Sequence, residues 1–207
     1  VDLSGVADSQ RNWFNDHMVF THGYGVVAAF ENTAGSDGSP AFYESNIPPT
    51  GAMKIEQPRV YFGELSPSYS IVGGTGPARE LDYPDDKSAN GQASNTYTGS
   101  GGVPIGSLIS RIAYAIHYRD TNILLSNQIT AGSRILYDRD PATRVKKLAP
   151  WLTLDSDPYP VVVDGRILWM VDGYTTSNNY PYSARVSLRD ATADSVNTQD
   201  AVTQLSS

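Results

Sequence analysis

The stretch YPVVVDGRILWMVDGYTT, residues 159–176, constrains the fold more than any other part of the chain. Asp164-Gly165 is the dipeptide that a two-residue type I′ turn favours, because both central positions need positive φ. The turn pairs Val163 with Arg166, Val162 with Ile167 and Val161 with Leu168. Both flanking runs are apolar on both faces, the pattern of strands covered on each side. The expectation is therefore an α+β fold: a mixed sheet with a central β-hairpin at about 159–174, covered by helices at about 104–117 and 140–149.

The first of those helices is read from PIGSLISRIAYAIHY. Ile105, Leu108, Ile109, Ile112, Ala113 and Ile116 recur at helical spacing and form one apolar stripe, and Pro104 suits a first helical position. Asp140-Pro141 is a cap followed by proline and opens the second, with Val145, Leu148 and Ala149 facing inward and Pro150 closing it. Residues 8–18 read as a short helix with Trp13, Phe14 and His17 on one face. VVAAF (26–30) reads as a buried strand, residues 31–40 as a turn-rich loop and AFYES (41–45) as another strand. PRVYFGEL and SYSIVGG read as a hairpin joined by SPS. Residues 73–102 are rich in Gly, Pro, Asp, Ser and Asn and read as a long loop, functional or mobile. One domain over 1–183 and a polar tail over 184–207 complete the organisation.

A chain of 207 residues can bury a substantial core. Its formal net charge of −7, from 17 Asp and 5 Glu against 11 Arg and 4 Lys, argues against nucleic acid, which rewards clustered cations. No cysteine is present, which excludes disulfides and thiolate metal sites. No run approaches the ~18 consecutive apolar residues of a membrane span. The start, VDLSGVADSQ, lacks the basic and apolar segments of a signal peptide and reads as the edge of a piece of something longer, or of a processed product.

Several residues have chemistry to offer. His17 and His22 lie five apart, with His117 a conceivable third nitrogen; a zinc pair on a helix wants a spacing of four, and imidazoles bonded to backbone would look the same. Asp155 and Asp157 resemble the start of a calcium loop, but Tyr159 and Pro160 break its pattern, and turn chemistry accounts for both aspartates equally well. TGSGGVPIGS lacks the spacing of a nucleotide loop and reads as a loop-to-helix junction, so no cofactor is called for. DGYTTSNNYPYS places Tyr174, Tyr180 and Tyr182 among hydroxyl and amide groups, with Asp172 at the strand end. Such a surface suits a sugar, and it also suits a tyrosine-rich loop sealed onto a core.

The segments WFNDHMVFTHGYGVV, QPRVYFGE and LDYP, with the long block from Leu124 to Ser183, together resemble the extracytoplasmic region of an actinobacterial membrane protein family known as uncharacterised protein family number 0182. Phe20 stands where that pattern has Tyr. The resemblance implies membrane helices elsewhere in the same polypeptide, a place on the outer face of the plasma membrane, and a chain that forms the first part of a larger domain. It brings no activity and no catalytic residue. The leading expectation is a non-enzymatic module that binds a cell-envelope component, glycan or lipid, or a partner protein. The alternatives are a hydrolase or transferase acting on envelope glycans or lipids through Asp, His17 or His22, and an assembly domain docking on its own membrane helices or on a copy of itself.

Overall fold

The structure is a computed structural model that describes residues 2–77 and 79–177, with 179, 181, 182, 184 and 187. The fold is α+β. Its strands in chain order are β1 (Gly23–Tyr24), β2 (Ala28–Ala34), β3 (Pro40–Ser45), β4 (Thr50–Gly51), β5 (Arg59–Val60), β6 (Tyr69–Gly73), β7 (Glu80–Pro84), β8 (Gln92–Asn95) and β9 (Val103–Pro104). Then come α1 (Leu108–Tyr118), α2 (Asn122–Leu125), β10 (Ser133–Tyr137), α3 (Pro141–Leu148), β11 (Thr153–Leu154), β12 (Tyr159–Val163), β13 (Arg166–Met170) and β14 (Gly173–Tyr174). The strands form several small antiparallel sheets rather than one mixed sheet.

The centre is the antiparallel sheet β6-β10-β9, with Ile71 opposite Ile135 and Ile135 opposite Val103. Strand alternation sends Tyr69, Ile71 and Ile135 to one face, where they meet Met18, Ile105, Ile123 and Ile129 in the apolar core. Ser70, Val72 and Leu136 go to the other face and are buried as well. Gly102 at φ 76° lets β9 press against β10; a Cβ there would stand 2.5 Å from the Ile135 carbonyl oxygen.

The expected hairpin forms in the expected register, Val163 opposite Arg166 through Tyr159 opposite Met170, with Asp164 and Gly165 both at positive φ. It is not central. β12 and β13 form a two-stranded sheet of their own, touched by an isolated parallel bridge between Gln57 and Arg166, and Tyr159, Val163, Leu168 and Met170 are exposed. Turn chemistry fixes a hairpin locally, but its position in the molecule is decided by packing that the turn does not encode. Its anchors are Trp169, whose indole donates to the Phe62 carbonyl at 2.7 Å, and the Gly165 carbonyl, which accepts from the backbone of Glu56 and Gln57 at 2.8 and 2.9 Å.

Helix α3 begins as expected, with the Asp140 carboxylate accepting from the Thr143 amide at 2.7 Å. Leu148, expected inside, is exposed. The helix expected over 104–117 starts at Leu108, capped by Ser107. Val103 and Pro104 are instead held as a strand by β10, and Ile105 enters the core ahead of the helix.

More consequential is which face α1 buries. Tyr114, Ala115 and Tyr118 pack on the core, and the Arg111 guanidinium donates to the carbonyls of Ile123, Leu124 and Ser126. The aliphatic stripe points away: Leu108, Ile109, Ile112 and Ile116 are 64, 82, 41 and 72% exposed. The period was read correctly and the inward face was not, because aromatic and guanidinium groups on the opposite face have the larger contacts to make.

Other expectations change for similar reasons. Residues 8–18 divide into a 3₁₀ turn at Asp8–Gln10 and a π-turn at Asn15–Val19. The VVAAF run lies mostly in β2; Val27 just before that strand and Phe30 within it are exposed, and Phe30 meets Tyr43 of β3 edge-on at 5.3 Å instead of entering the core. The strand continues to Ala34 through part of the expected loop. PRVYFGEL and SYSIVGG do not pair: β5 joins β1 and β6 joins β10. The 73–102 segment holds the β7-β8 hairpin. The expected tail over 184–207 lies outside the described residues apart from 184 and 187.

Candidate functional site

The chemistry-bearing side chains converge where Thr21 and His22 lead into β1, Arg59 lies in β5 with Tyr61 just after it, Glu80 and Asp82 lie two apart in β7, and Arg139 follows β10. The His22 Nε2 lies 2.9 Å from Asp82 Oδ1. Because a carboxylate only accepts, this nitrogen carries a proton. Arg59 grips the same carboxylate bidentately, Nε and Nη2 each at 2.7 Å. Burial alone would raise the Asp82 carboxyl, but the Arg59 fork and His22 outweigh it and hold it below the usual carboxylate range.

Glu80 is saturated. One oxygen accepts from the Gly73 and Tyr97 amides at 3.2 and 2.8 Å, the other from the Tyr61 and Thr21 hydroxyls at 2.8 and 3.0 Å. Burial in the first place, and Glu80 in the second, push the Tyr61 phenol far above its ordinary value. Thr21 also lies 2.9 Å from His22 Nδ1, yet its hydroxyl has one proton for two acceptors. The hydroxyl can satisfy both contacts only when Nδ1 is itself protonated and donates to Thr21. Burial opposes that state, overcoming the pull of Asp82 and Glu80, and holds the imidazole below its ordinary value.

Arg139 closes the cluster. It is 2% exposed, and its guanidinium donates to the Tyr61 carbonyl at 2.8 Å, the Ser70 hydroxyl at 2.5 Å and the Thr21 carbonyl at 2.5 Å. Burial pulls this group down to about 10. With Arg59 and Arg139 positive and Glu80 and Asp82 negative, the cluster balances around a neutral His22.

Thr21, His22 and Asp82 have the composition of a hydroxyl–imidazole–carboxylate relay. Their accessibility removes that role: Thr21 is 0% and His22 4% exposed, and the Thr21 hydroxyl is already engaged by Glu80. The arrangement staples β1, β5, β6 and β7 to the end of β10.

The remaining candidates disperse. His17 donates from Nδ1 to the Tyr69 carbonyl at 2.9 Å and stacks on the Tyr69 ring at 4.0 Å; burial, more than this bond, sets its basicity and lowers it. His117 rests edge-on against Tyr118. No group of three or more His, Asp or Glu side chains placed to hold a metal ion occurs among the described residues. The Asp155 carboxylate accepts from the Asp157 amide at 3.2 Å, a turn contact, and the Asp155 amide donates to the Asp172 carbonyl at 2.8 Å. The β11-β14 pairing brings Tyr174 beside Asp155 and Asp172 on an exposed edge. Tyr182 is also exposed, and Tyr180 lies outside the described residues.

Sequence reading did not single out Arg59, Tyr61, Glu80, Asp82 or Arg139. Two signals were present. Glu80 and Asp82 are two apart, the spacing that puts side chains on one side of an extended segment. The segments carrying Thr21 and His22, Arg59 and Tyr61, Asp82, and Arg139 are the ones in which the family resemblance was seen.

The family named by that resemblance is the right one. The model of an uncharacterised protein family, UPF0182, matches residues 1–203, and the chain belongs to this family. A UPF0182 protein of Kineococcus radiotolerans is 55% identical over 95% of the chain, one of Frankia alni 53% over 96%, and one of Streptomyces coelicolor 50% over 95%. These relatives are actinobacterial. The chain spans 19% of the length of each. No solved structure matches it at a significant level. No helix among the described residues is long and apolar enough to cross a membrane.

Proposed function

We propose that this chain is a non-enzymatic interaction module of a bacterial membrane protein, on the extracytoplasmic side, docking through the aliphatic face of α1 onto another stretch of the longer polypeptide to which its relatives extend. The observation that carries this is the outward stripe of Leu108, Ile109, Ile112 and Ile116. A contiguous apolar face on a rigid helix marks a contact surface, and covering such a side chain contributes at most about 1.5–3 kcal/mol, least for Ile112, the least exposed of the four. Four-fifths of the relatives' length lies outside the matched region, and the covering segment is assigned to that length. The alternative of an enzyme acting on envelope glycans or lipids has its best chemistry in Thr21, His22 and Asp82, and their burial speaks against it.

The chain has no cysteine, which permits a direct test. An Ile112→Cys thiol should react with a maleimide at the rate of an exposed thiol in the 207-residue chain and should be protected in the longer polypeptide. Equal reactivity in both would remove the basis for docking through this face.

A further inference from the structure

Away from the α1 stripe, a recess of about 440 Å³ opens between Trp13 and Phe14 on one side and Asn122, Leu125, Ser126 and Gln128 on the other. Its size lies within the range of small-molecule sites. Trp13, Phe14 and Leu125 give it aromatic and aliphatic surface, Asn122, Ser126 and Gln128 give it carboxamide and hydroxyl groups, and none of the six side chains is charged.

Both walls are held by one carboxylate. Asp120 accepts the Trp13 indole N–H at 2.8 Å, which fixes the plane of that ring, and a short hydrogen bond from the Tyr69 hydroxyl. Its other oxygen accepts from the backbone amide of Asn122 at 2.9 Å and from the Asn122 Nδ2 at 3.0 Å, which leaves the Asn122 carbonyl oxygen as an acceptor. Gln128 is held in turn: its Oε1 accepts from Arg79 at 3.2 Å and its Nε2 donates to Asn127 at 3.1 Å. Polar side chains on a surface ordinarily keep their rotamer freedom and lose it on binding. Here that ordering has already happened.

We propose that this recess binds a neutral, hydroxylated ring, a pyranose sugar, with its C–H face on Trp13 and its hydroxyls toward Asn122, Ser126 and Gln128. An aromatic face carries partial negative charge and attracts the slightly positive C–H edges of a sugar ring. Amide and hydroxyl groups offer the paired donors and acceptors that sugar hydroxyls need. A purely apolar guest would leave the polar groups unsatisfied, and an anion would find no cation in the lining. This setting differs from that of Tyr174, which lies on an exposed edge, in that its walls are already ordered.

The test is nitrogen-edited NMR of the 207-residue chain titrated with the methyl glycosides of glucose, galactose, mannose and N-acetylglucosamine. At least one glycoside should shift the Trp13 indole and the Asn122 and Gln128 side-chain amides saturably, with the Trp151 and Trp169 indoles as internal controls. Gln128→Ala and Asn122→Ala, both at exposed positions, should each weaken binding about tenfold with the melting temperature unchanged. The proposal is overturned if no glycoside gives a saturable shift at Trp13. It is equally overturned if the two alanine variants bind the sugar as well as the parent does, or if toluene saturates the recess while every glycoside fails, which would assign it to an apolar side chain of a protein partner.

Discussion

The cluster around His22 and the outer face of α1 invert the usual distribution of residues. The first puts two carboxylates, two guanidinium groups and an imidazole inside or nearly so; the second turns four aliphatic side chains outward on a well-formed helix. Burying charge is costly unless every group is paired, and here every group is: no buried side-chain nitrogen or oxygen among the described residues lacks a hydrogen-bond partner. Leaving aliphatic surface in water forgoes stabilisation that a partner can supply. The polar cluster is thus complete within the chain, whereas the apolar face stands open, as the proposed docking requires.

The comparison is broken most forcefully at Arg139. Replacing it by Met keeps bulk but strands the Tyr61 and Thr21 carbonyls and the Ser70 hydroxyl, each buried acceptor costing about 1–3 kcal/mol. Chemical denaturation should show a loss of roughly 3–5 kcal/mol. Arg139→Lys should recover only part of it, since a point charge cannot reproduce the guanidinium fork. Next in size is Asp82→Ala, which leaves Arg59 and His22 without their shared acceptor; about 2–3 kcal/mol should be lost.

Acid should weaken the fold at two of its histidines, one in this cluster and one beside Tyr69. Burial holds both His17 and His22 below the ordinary imidazole value, so the unfolded chain binds more protons than the folded one once pH drops below about 6.5. Stability is then fully present at neutral pH, declines as pH falls through that value, and levels off beneath the folded values. Melting temperatures measured from about pH 7.5 to about pH 5 should fall, and His17→Gln should flatten the slope. A melting temperature that rises over this range would place the proton on the folded side and refute the neutral assignment of His22.

Smaller effects lie outside the cluster. Gly165→Ala puts a Cβ at φ 73° and 2.8 Å from the Glu56 side chain, for a cost on the order of 1 kcal/mol. Smallest of all, Ile109→Ser with Ile116→Ser should change the stability of the isolated chain by no more than about 0.5 kcal/mol, because both side chains already stand in water. A loss of several times that size would mean the stripe is packed within the chain, and the contrast with the polar cluster would disappear.

How far the sequence could be read follows the range of the interactions. The type I′ turn at Asp164-Gly165 and the cap at Asp140 are decided within a few residues, and both were found in place. Helical periodicity revealed that α1 exists, but period alone does not say which face turns inward; Tyr114, Tyr118 and Arg111 decided that through contacts with the core and with α2. The polar cluster was hidden for the most physical of reasons. The Arg139–Thr21 bond spans 118 residues and the His22–Asp82 bond 60, and nothing local records such pairings.

The anchoring of the Asp164-Gly165 turn has a practical consequence. Hairpin tips are the usual places to insert an affinity tag, to cut a chain for circular permutation, or for a protease to find a cleavable strand. Here the tip carbonyl of Gly165 is claimed by two backbone amides from residues 56 and 57. Insertions at this apparently ideal position should therefore be poorly tolerated, and limited proteolysis should pass it by in favour of bonds elsewhere.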